Sequence, residues 1–260
     1  MEIVICKTKE EASKIAADMI TAAVKKNPKT VLGLATGSTP VPMYKEMIKA
    51  VKAKKVSYKA VKSWNLDEYV GLPPTHDQSY RYFMDKNLFD SIDIKKSNTH
   101  VLNGLAKDLD KECKAYEAQI KKAGGIDIQV LGIGSDGHIA FNEPGTSLKS
   151  RTSCVYLTPS TLKDNARLFF KGKEKDVPTR ALSMGVGTIC EAKTCILLAF
   201  GKGKADAVKG CVEGPMTQFC TASALQAHND CWIFCDEDAA SKLKLKKYYA
   251  WRSATKLGIV

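Results

Sequence analysis

The chain alternates between short apolar runs and longer segments in which apolar residues recur at helical spacing. The strand-like runs lie at 30–35, 61–66, 126–134, 194–200 and 230–237. The helical patterns lie at 9–26, 40–53, 79–89, 108–122, 203–211 and 237–250. Strands that alternate with helices form βαβ units, in which helices cover both faces of a parallel sheet. The alternation therefore predicts an α/β fold with a mostly parallel central sheet.

The 260 residues are predicted to form one domain, residues 1–260, because neither a linker nor an internal repeat divides them. A chain of this length with 44% hydrophobic residues can bury a full core. The segment from about 144 to 182 is the least regular and most polar part of the sequence. Its pattern fits a lid over the sheet edge or an ordinary surface excursion.

Charge and hydropathy exclude several classes of protein. The net charge is +12, but the lysines are spread along the chain and form no single basic arm, so nucleic-acid binding is not expected. No apolar run is long enough to span a membrane, and the first residues lack the features of a signal peptide. We expect a soluble, cytoplasmic protein.

The nine cysteines are odd in number, irregularly spaced and often embedded in apolar runs. They are typical of buried, reduced thiols. Because the sequence contains no C-x-x-C pair, a structural zinc site is not expected.

In an open α/β sheet, ligands bind beyond the carboxyl ends of the strands. A turn of small and hydroxyl residues follows the predicted strand at 30–35 and opens the predicted helix at 40–53. Its residues are Thr36, Gly37, Ser38, Thr39 and Pro40. Backbone N–H groups and the positive end of a helix dipole would meet there, which suits a phosphate. An ordinary capped helix start fits the same residues equally well.

Two acidic residues, Asp67 and Glu68, follow the predicted strand at 61–66. They could include a general base, although a solvated turn has the same composition.

The segment Gly132–Gly145 contains the pattern G-x-G-x-x-G, yet it does not fit a dinucleotide site. Asp136 would repel a pyrophosphate, and Pro144 with Gly145 would stop the helix that should follow. What remains is His138 between two carboxylic residues, Asp136 and Glu143. A carboxylate beside a histidine can fix its tautomer and raise its basicity, so we interpret this segment as catalytic.

A further pair of basic residues, Lys202 and Lys204, lies in a glycine-rich turn after the predicted strand at 194–200. A lysine here could reach a phosphate as a mobile point charge, and an exposed lysine cluster is the alternative.

Four strings, LATGSTP, NLDEYVGL, GIGSDGHIAFNEPG and ALSMGVGTI, resemble those of glucosamine-6-phosphate deaminases, in the family's order and over nearly the whole chain. The resemblance implies a Rossmann-like α/β/α sandwich with a lid. It also implies reversible conversion of glucosamine 6-phosphate to fructose 6-phosphate and ammonia, without a cofactor or a metal.

The resemblance also implies roles for individual residues. His138 would open the sugar ring, and Asp136 and Glu143 would orient it. Asp67 would remove the proton from C2 of the sugar. The 6-phosphate would be held by the backbone of 37–39, with Thr36 beside it, and by the side chains of Arg167 and Lys204.

Other activities remain as alternatives. A hydrolytic zinc deaminase needs H-x-E and P-C-x-x-C, and both are absent from the sequence. A sugar-phosphate lactonase of related fold would keep His138 but has no use for Asp67 or for the FNEP turn. A sugar-phosphate-binding regulator without catalytic activity is a further alternative. The oligomeric state stays open, with a homo-oligomer among the options.

One departure from the family pattern concerns regulation. Allosteric members carry S-R-T-R-x-K after the histidine motif, where basic residues hold the phosphate of N-acetylglucosamine 6-phosphate. This chain has Ser153 and Val155 at the two later basic positions. We therefore predict no activation by that effector, unless Lys149 or Arg151 substitutes for the missing charges.

Overall fold

The computed structural model describes residues 1–258. Its strands are β1 (Glu2–Cys6), β2 (Val31–Leu34), β3 (Lys62–Asn65), β4 (Asp67–Tyr69), β5 (Thr99–His100), β6 (Ile128–Leu131), β7 (Ser153–Tyr156), β8 (Arg180–Ser183), β9 (Thr194–Ala199) and β10 (Cys231–Asp236). Its α-helices are α1 (Lys9–Lys26), α2 (Val41–Lys52), α3 (Tyr80–Asn87), α4 (Leu109–Lys122), α5 (Pro159–Leu168), α6 (Val186–Cys190), α7 (Ala205–Glu213) and α8 (Lys246–Lys256).

Seven strands form a parallel central sheet in the order β1-β10-β9-β6-β2-β3-β5, and helices flank it. The predicted α/β/α sandwich is therefore confirmed. The chain runs outward from β2 through β3 to β5, and then returns to β6 and runs outward the other way through β9 to β10. The strand order reverses between β2 and β6, which is the switch point where open α/β sheets bind their ligands.

Strands β9 and β10 of this sheet are largely apolar because helices cover them. Strand β9 is buried at every residue after its first, and β10 at every residue before its last. Continuous apolar runs are typical of parallel strands buried on both faces. The same pattern made these strands visible in the sequence.

A second, smaller sheet was not predicted. It is antiparallel, with the order β4-β8-β7. A separate apolar cluster packs beside it, consisting of Tyr69, Phe141, Leu157, Ala166, Phe170, Val177 and Ala181. The segment 144–182 thus contains β7, α5 and most of β8, so its irregular sequence folds into ordered secondary structure.

The helix predicted at 237–250 is wrong in position. Residues 237–245 form turns, and α8 begins only at Lys246. The Asp236 carboxylate accepts a hydrogen bond from Ala239 N, and the Glu213 carboxylate accepts from Lys244 N and Leu245 N. Side chains thus satisfy the backbone of the turns, while buried alanines there mimic helical spacing. Strands β1 and β5 were not predicted either.

Within residues 1–258, no helix combines the length and the apolar character needed to cross a membrane.

Candidate active site

A cavity opens at the switch point, beyond the carboxyl ends of β2, β3 and β6. Its volume is about 200 Å³, which is smaller than the roughly 300–1,000 Å³ of pockets for drug-sized ligands. A small metabolite fits such a site better than a dinucleotide does. Its walls include Thr36, Gly37, Thr39, Asp67, Tyr80, Gly134, Asp136, His138, Thr161, Asp164, Asn165 and Lys204.

One wall is built from the turn between β2 and α2. Gly37 has φ of 91°, a left-handed conformation that favours glycine. Helix α2 starts after Pro40 without a side-chain cap and without an acidic residue in its first turn. This leaves the positive end of the helix available to an anion. Thr36 and Thr39 line the cavity, whereas Ser38 is exposed and outside its walls.

Two basic residues were predicted to meet the phosphate, and the structure places them differently. Lys204 is partly buried and lines the cavity. Burial lowers the pKa of its ammonium group, and the carboxylates of Asp164 and Asp136 oppose this effect. Arg167 lies on α5, but its side chain is 68% exposed and pairs with Asp164 at 3.1 Å, outside the cavity walls.

Asp67 and Glu68, adjacent in sequence, have separate environments. Asp67 is 7% exposed and lines the cavity. Burial, helped by the neighbouring Glu68 charge, raises the pKa of its carboxyl group to about 8. A carboxyl group that titrates near neutral pH can both take up and return a proton.

The Glu68 side chain has a structural role. Its carboxylate accepts hydrogen bonds from the backbone N–H groups of Tyr69, Tyr80 and Arg81, at 2.8, 2.9 and 3.0 Å. It therefore caps the start of α3, where a negative charge is favourable.

His138 lies between two carboxylates, as its sequence position suggested. Its Nδ1 is 2.8 Å from Asp136 Oδ1 and 3.5 Å from Glu143 Oε2. Neither contact has the alignment of a hydrogen bond in this structure. Burial raises the pKa of Asp136, but the nearby imidazole of His138 and the backbone N–H of that residue, which donates to Asp136 Oδ1 at 3.1 Å, outweigh it and hold that pKa below its ordinary value. These three side chains form a carboxylate–imidazole–carboxylate group, which we call the triad.

The close packing of the triad explains a glycine in the motif. A Cβ atom on Gly134 would lie 2.4 Å from His138 Cε1 and 2.5 Å from its Nδ1. Any larger residue at position 134 would displace the imidazole ring.

Side chains outside the motif hold the loop that carries the triad. Thr221 Oγ1 accepts a hydrogen bond from Ile139 N and donates one to Asn142 O. Asn142 Nδ2 donates to the backbone of Ile139 and Met184. These hydrogen bonds fix the loop at Ile139 and at Asn142.

One ligand atom from each triad residue lies within 4.8 Å of the others, a spacing at which a small cation could also fit. The same spacing also lets two carboxylates orient an imidazole and stabilise its charged form.

A family model described as glucosamine-6-phosphate isomerases/6-phosphogluconolactonase matches residues 7–233. The chain belongs to this family. The two activities in the family's description share the fold, so the family by itself does not separate amino-sugar chemistry from lactone chemistry.

Several glucosamine-6-phosphate deaminases of the family are similar to this chain over nearly its full length. A glucosamine-6-phosphate deaminase of Shewanella loihica is 53% identical over 249 residues, which cover 96% of this chain and 92% of that protein. One of Clostridioides difficile is 52% identical and covers 95% and 99%. The structure of a monomeric glucosamine-6-phosphate deaminase is 44% identical, with a TM-score of 0.90, and covers 93% and 99%.

The structural similarity to lactonases is more distant. The 6-phosphogluconolactonase of Trypanosoma cruzi is 22% identical, with a TM-score of 0.73, and covers 94% of this chain and 97% of its own. This similarity shows the shared fold.

The cavity also contains residues that the sequence interpretation missed. Tyr80, Thr161 and Asn165 line it. The buried Asn165 Nδ2 has no partner among the described residues. The dipeptide Thr158-Pro159, a cap followed by proline, was the available signal for the start of α5.

Proposed function

We propose that this chain catalyses the reversible conversion of glucosamine 6-phosphate and water to fructose 6-phosphate and ammonia. The observation that carries the proposal is a buried carboxyl group with a pKa of about 8, Asp67, in one cavity with Asp136 and His138 of the triad. An aldose–ketose isomerisation needs a base of this kind. The relatives that are 53% and 52% identical to this chain are named for this reaction.

The first step in the proposed mechanism is ring opening. His138 moves a proton from the anomeric hydroxyl to the ring oxygen, while the C1–O5 bond breaks and the C1 carbonyl forms. Asp136 and Glu143 orient the imidazole and stabilise its charged form. General acid–base catalysis of this kind contributes roughly 10²–10⁴ in rate.

The second step is proton transfer between carbons. Asp67 removes the proton from C2 while the C1 oxygen takes up a proton from solvent, which gives an enolamine. Asp67 then returns its proton at C1, which leaves a protonated imine at C2. Water adds to the imine and ammonia departs, so the ketose forms.

Binding of the 6-phosphate is assigned to one end of the cavity. The backbone of 37–39 and the side chains of Thr36, Thr39 and Lys204 would hold it, supported by the open start of α2. Arg167 would join them only if it exchanged its Asp164 partner for the phosphate. We propose that the segment 144–182 acts as a lid within a single domain, residues 1–260, since α5 carries one cavity wall.

The cellular setting is proposed with the reaction. A phosphorylated substrate and nine thiols that are free in the structure fit the cytoplasm. The substrate is the only partner that the proposal requires, and assembly into a homo-oligomer would have to be measured by light scattering.

The test is a pair of assays on purified protein without added metal. Ammonia release from glucosamine 6-phosphate and ammonia uptake with fructose 6-phosphate are expected. Hydrolysis of 6-phosphogluconolactone without either of these would support the lactonase alternative, and binding without any turnover would support a regulator.

A further inference from the structure

The two oxygens of the Glu143 carboxylate have different surroundings. Oε1 accepts a hydrogen bond of 2.5 Å from Thr161 Oγ1 and longer contacts from Thr158, at 3.3 Å from its Oγ1 and 3.4 Å from its N. Oε2 has no hydrogen-bond partner among residues 1–258, and faces His138 Nδ1 at 3.5 Å. The partners of Oε1 therefore decide where Oε2 points.

Both threonines belong to the start of α5. Thr158 caps the helix, and its side chain accepts a hydrogen bond from Thr161 N. Thr161 is 7% exposed, so its hydroxyl has few alternatives to Glu143. The carboxylate of the triad is thus held by the helix that also carries the cavity wall formed by Asp164 and Asn165.

The helix itself is attached to the protein through a small apolar cluster. Ala166 on α5 packs in the cluster with Phe170 and Tyr69, separate from the main core. A ligand that presses on the cavity face of α5 therefore acts on the same element that fixes Glu143.

We propose that Thr161 is a positioning residue for ring opening. Its hydroxyl holds Glu143 Oε1 so that Oε2 faces the imidazole of His138, and it thereby links the position of α5 to the proton-transfer group. This inference rests on the proposed function. In this proposal Thr161 acts through Glu143 and does not contact the reacting atoms.

The test compares three variants in the deaminase assay. Thr161→Val keeps the shape of the side chain but removes the hydroxyl, and Thr161→Ser keeps the hydroxyl. Thr194→Val is the matched control. It removes a similar 2.7 Å bond to a carboxylate, Asp230, at the start of β9 and therefore at the opposite end of the sheet from the cavity.

The valine variant is expected to lose kcat roughly 10- to 100-fold, the span for one hydrogen bond to a charged group. KM should change less than about threefold, because the hydroxyl serves Glu143 and not the substrate. The serine variant should recover most of kcat, and the Thr194 control should match the wild type. The isotope effect with C2-deuterated substrate should not increase in Thr161→Val, since ring opening, and not C2 proton removal, is slowed.

A valine variant with wild-type kcat overturns the inference, and so does a rise in KM alone or a larger isotope effect. Equal losses in the serine and valine variants also overturn it. These outcomes are separable from failure of the proposed function, which would appear as absence of ammonia release by the wild-type protein.

Discussion

At the scale of single residues, the active-site assignment depends on the environments of a few carboxyl groups. Asp67 and Asp136 line one cavity, yet burial raises the pKa of the first and the adjacent imidazole lowers that of the second. Groups of one chemical type with opposite shifts are typical of acid–base sites. We therefore propose that Asp67 takes the carbon-bound proton and that Asp136 stays ionised beside His138.

The raised pKa of Asp67 predicts a cost to stability. The folded protein keeps this proton up to about pH 8, whereas the unfolded chain loses it near the ordinary value of 3.8. Between these pH values the folded state binds more protons, so the free energy of unfolding contributed by this group falls as pH rises. Asp67→Asn should therefore raise Tm, by an amount that grows from pH 5 to pH 8.

Calorimetry or fluorescence melting of both proteins across this pH range measures the difference. The isosteric change Asn229→Asp, at an exposed site just before β10 and therefore away from the cavity, is a control for surface charge. A Tm difference between wild type and Asp67→Asn that stays constant with pH would contradict the raised pKa.

Glu143 is predicted to tune the imidazole. Removing its charge with Glu143→Gln withdraws support for the charged form of His138. The acidic limb of the pH–rate profile should therefore move to lower pH. The change His138→Gln removes the imidazole itself and should abolish most of the activity. An unchanged limb in the Glu143→Gln enzyme would remove this residue from the catalytic set.

At the scale of elements, β7 bears on regulation. Ser153 and Val155 are two residues apart on this strand and therefore lie on the same face. Val155 packs against the small apolar cluster beside the second sheet. Arg151 could compensate for the missing charges only by giving up its pairs with Glu117 and Glu191.

Activation by N-acetylglucosamine 6-phosphate is therefore predicted to be absent. An effector can shift a conformational equilibrium only by its differential affinity for the two states. The plot of initial rate against substrate concentration should be hyperbolic, and the acetylated sugar phosphate should not change it. A sigmoidal curve that the effector makes hyperbolic would contradict this prediction.

The elements also show what sequence could and could not predict. Strands such as β9 were predictable because a helix-covered parallel strand is apolar throughout. Strands β7 and β8 were not, because each is only four residues long and mixes polar with apolar residues. In the site, His138 and Asp67 were marked by their motifs. Thr161 was missed, since only folding brings it to Glu143 across 18 residues.

At the scale of the whole molecule, the reversal of strand order between β2 and β6 brings the functional segments together. It gathers the turn after β2, the acidic residue after β3 and the histidine loop after β6 at one edge. Because lactonases share this fold, topology alone does not choose the chemistry. In the proposed mechanism the choice depends on Asp67, which removes the carbon-bound proton.

The most direct measurement is hydrogen exchange at carbon in D₂O, followed by NMR of the sugar phosphates. Wild-type protein with glucosamine 6-phosphate should release ammonia and place solvent deuterium at C1 of the fructose 6-phosphate formed. Asp67→Asn should bind substrate with similar affinity, but its turnover should be slower by a factor of roughly 10²–10⁴. The incorporation of solvent deuterium should fall by the same factor. Exchange at the wild-type rate in the Asp67→Asn protein would contradict the account.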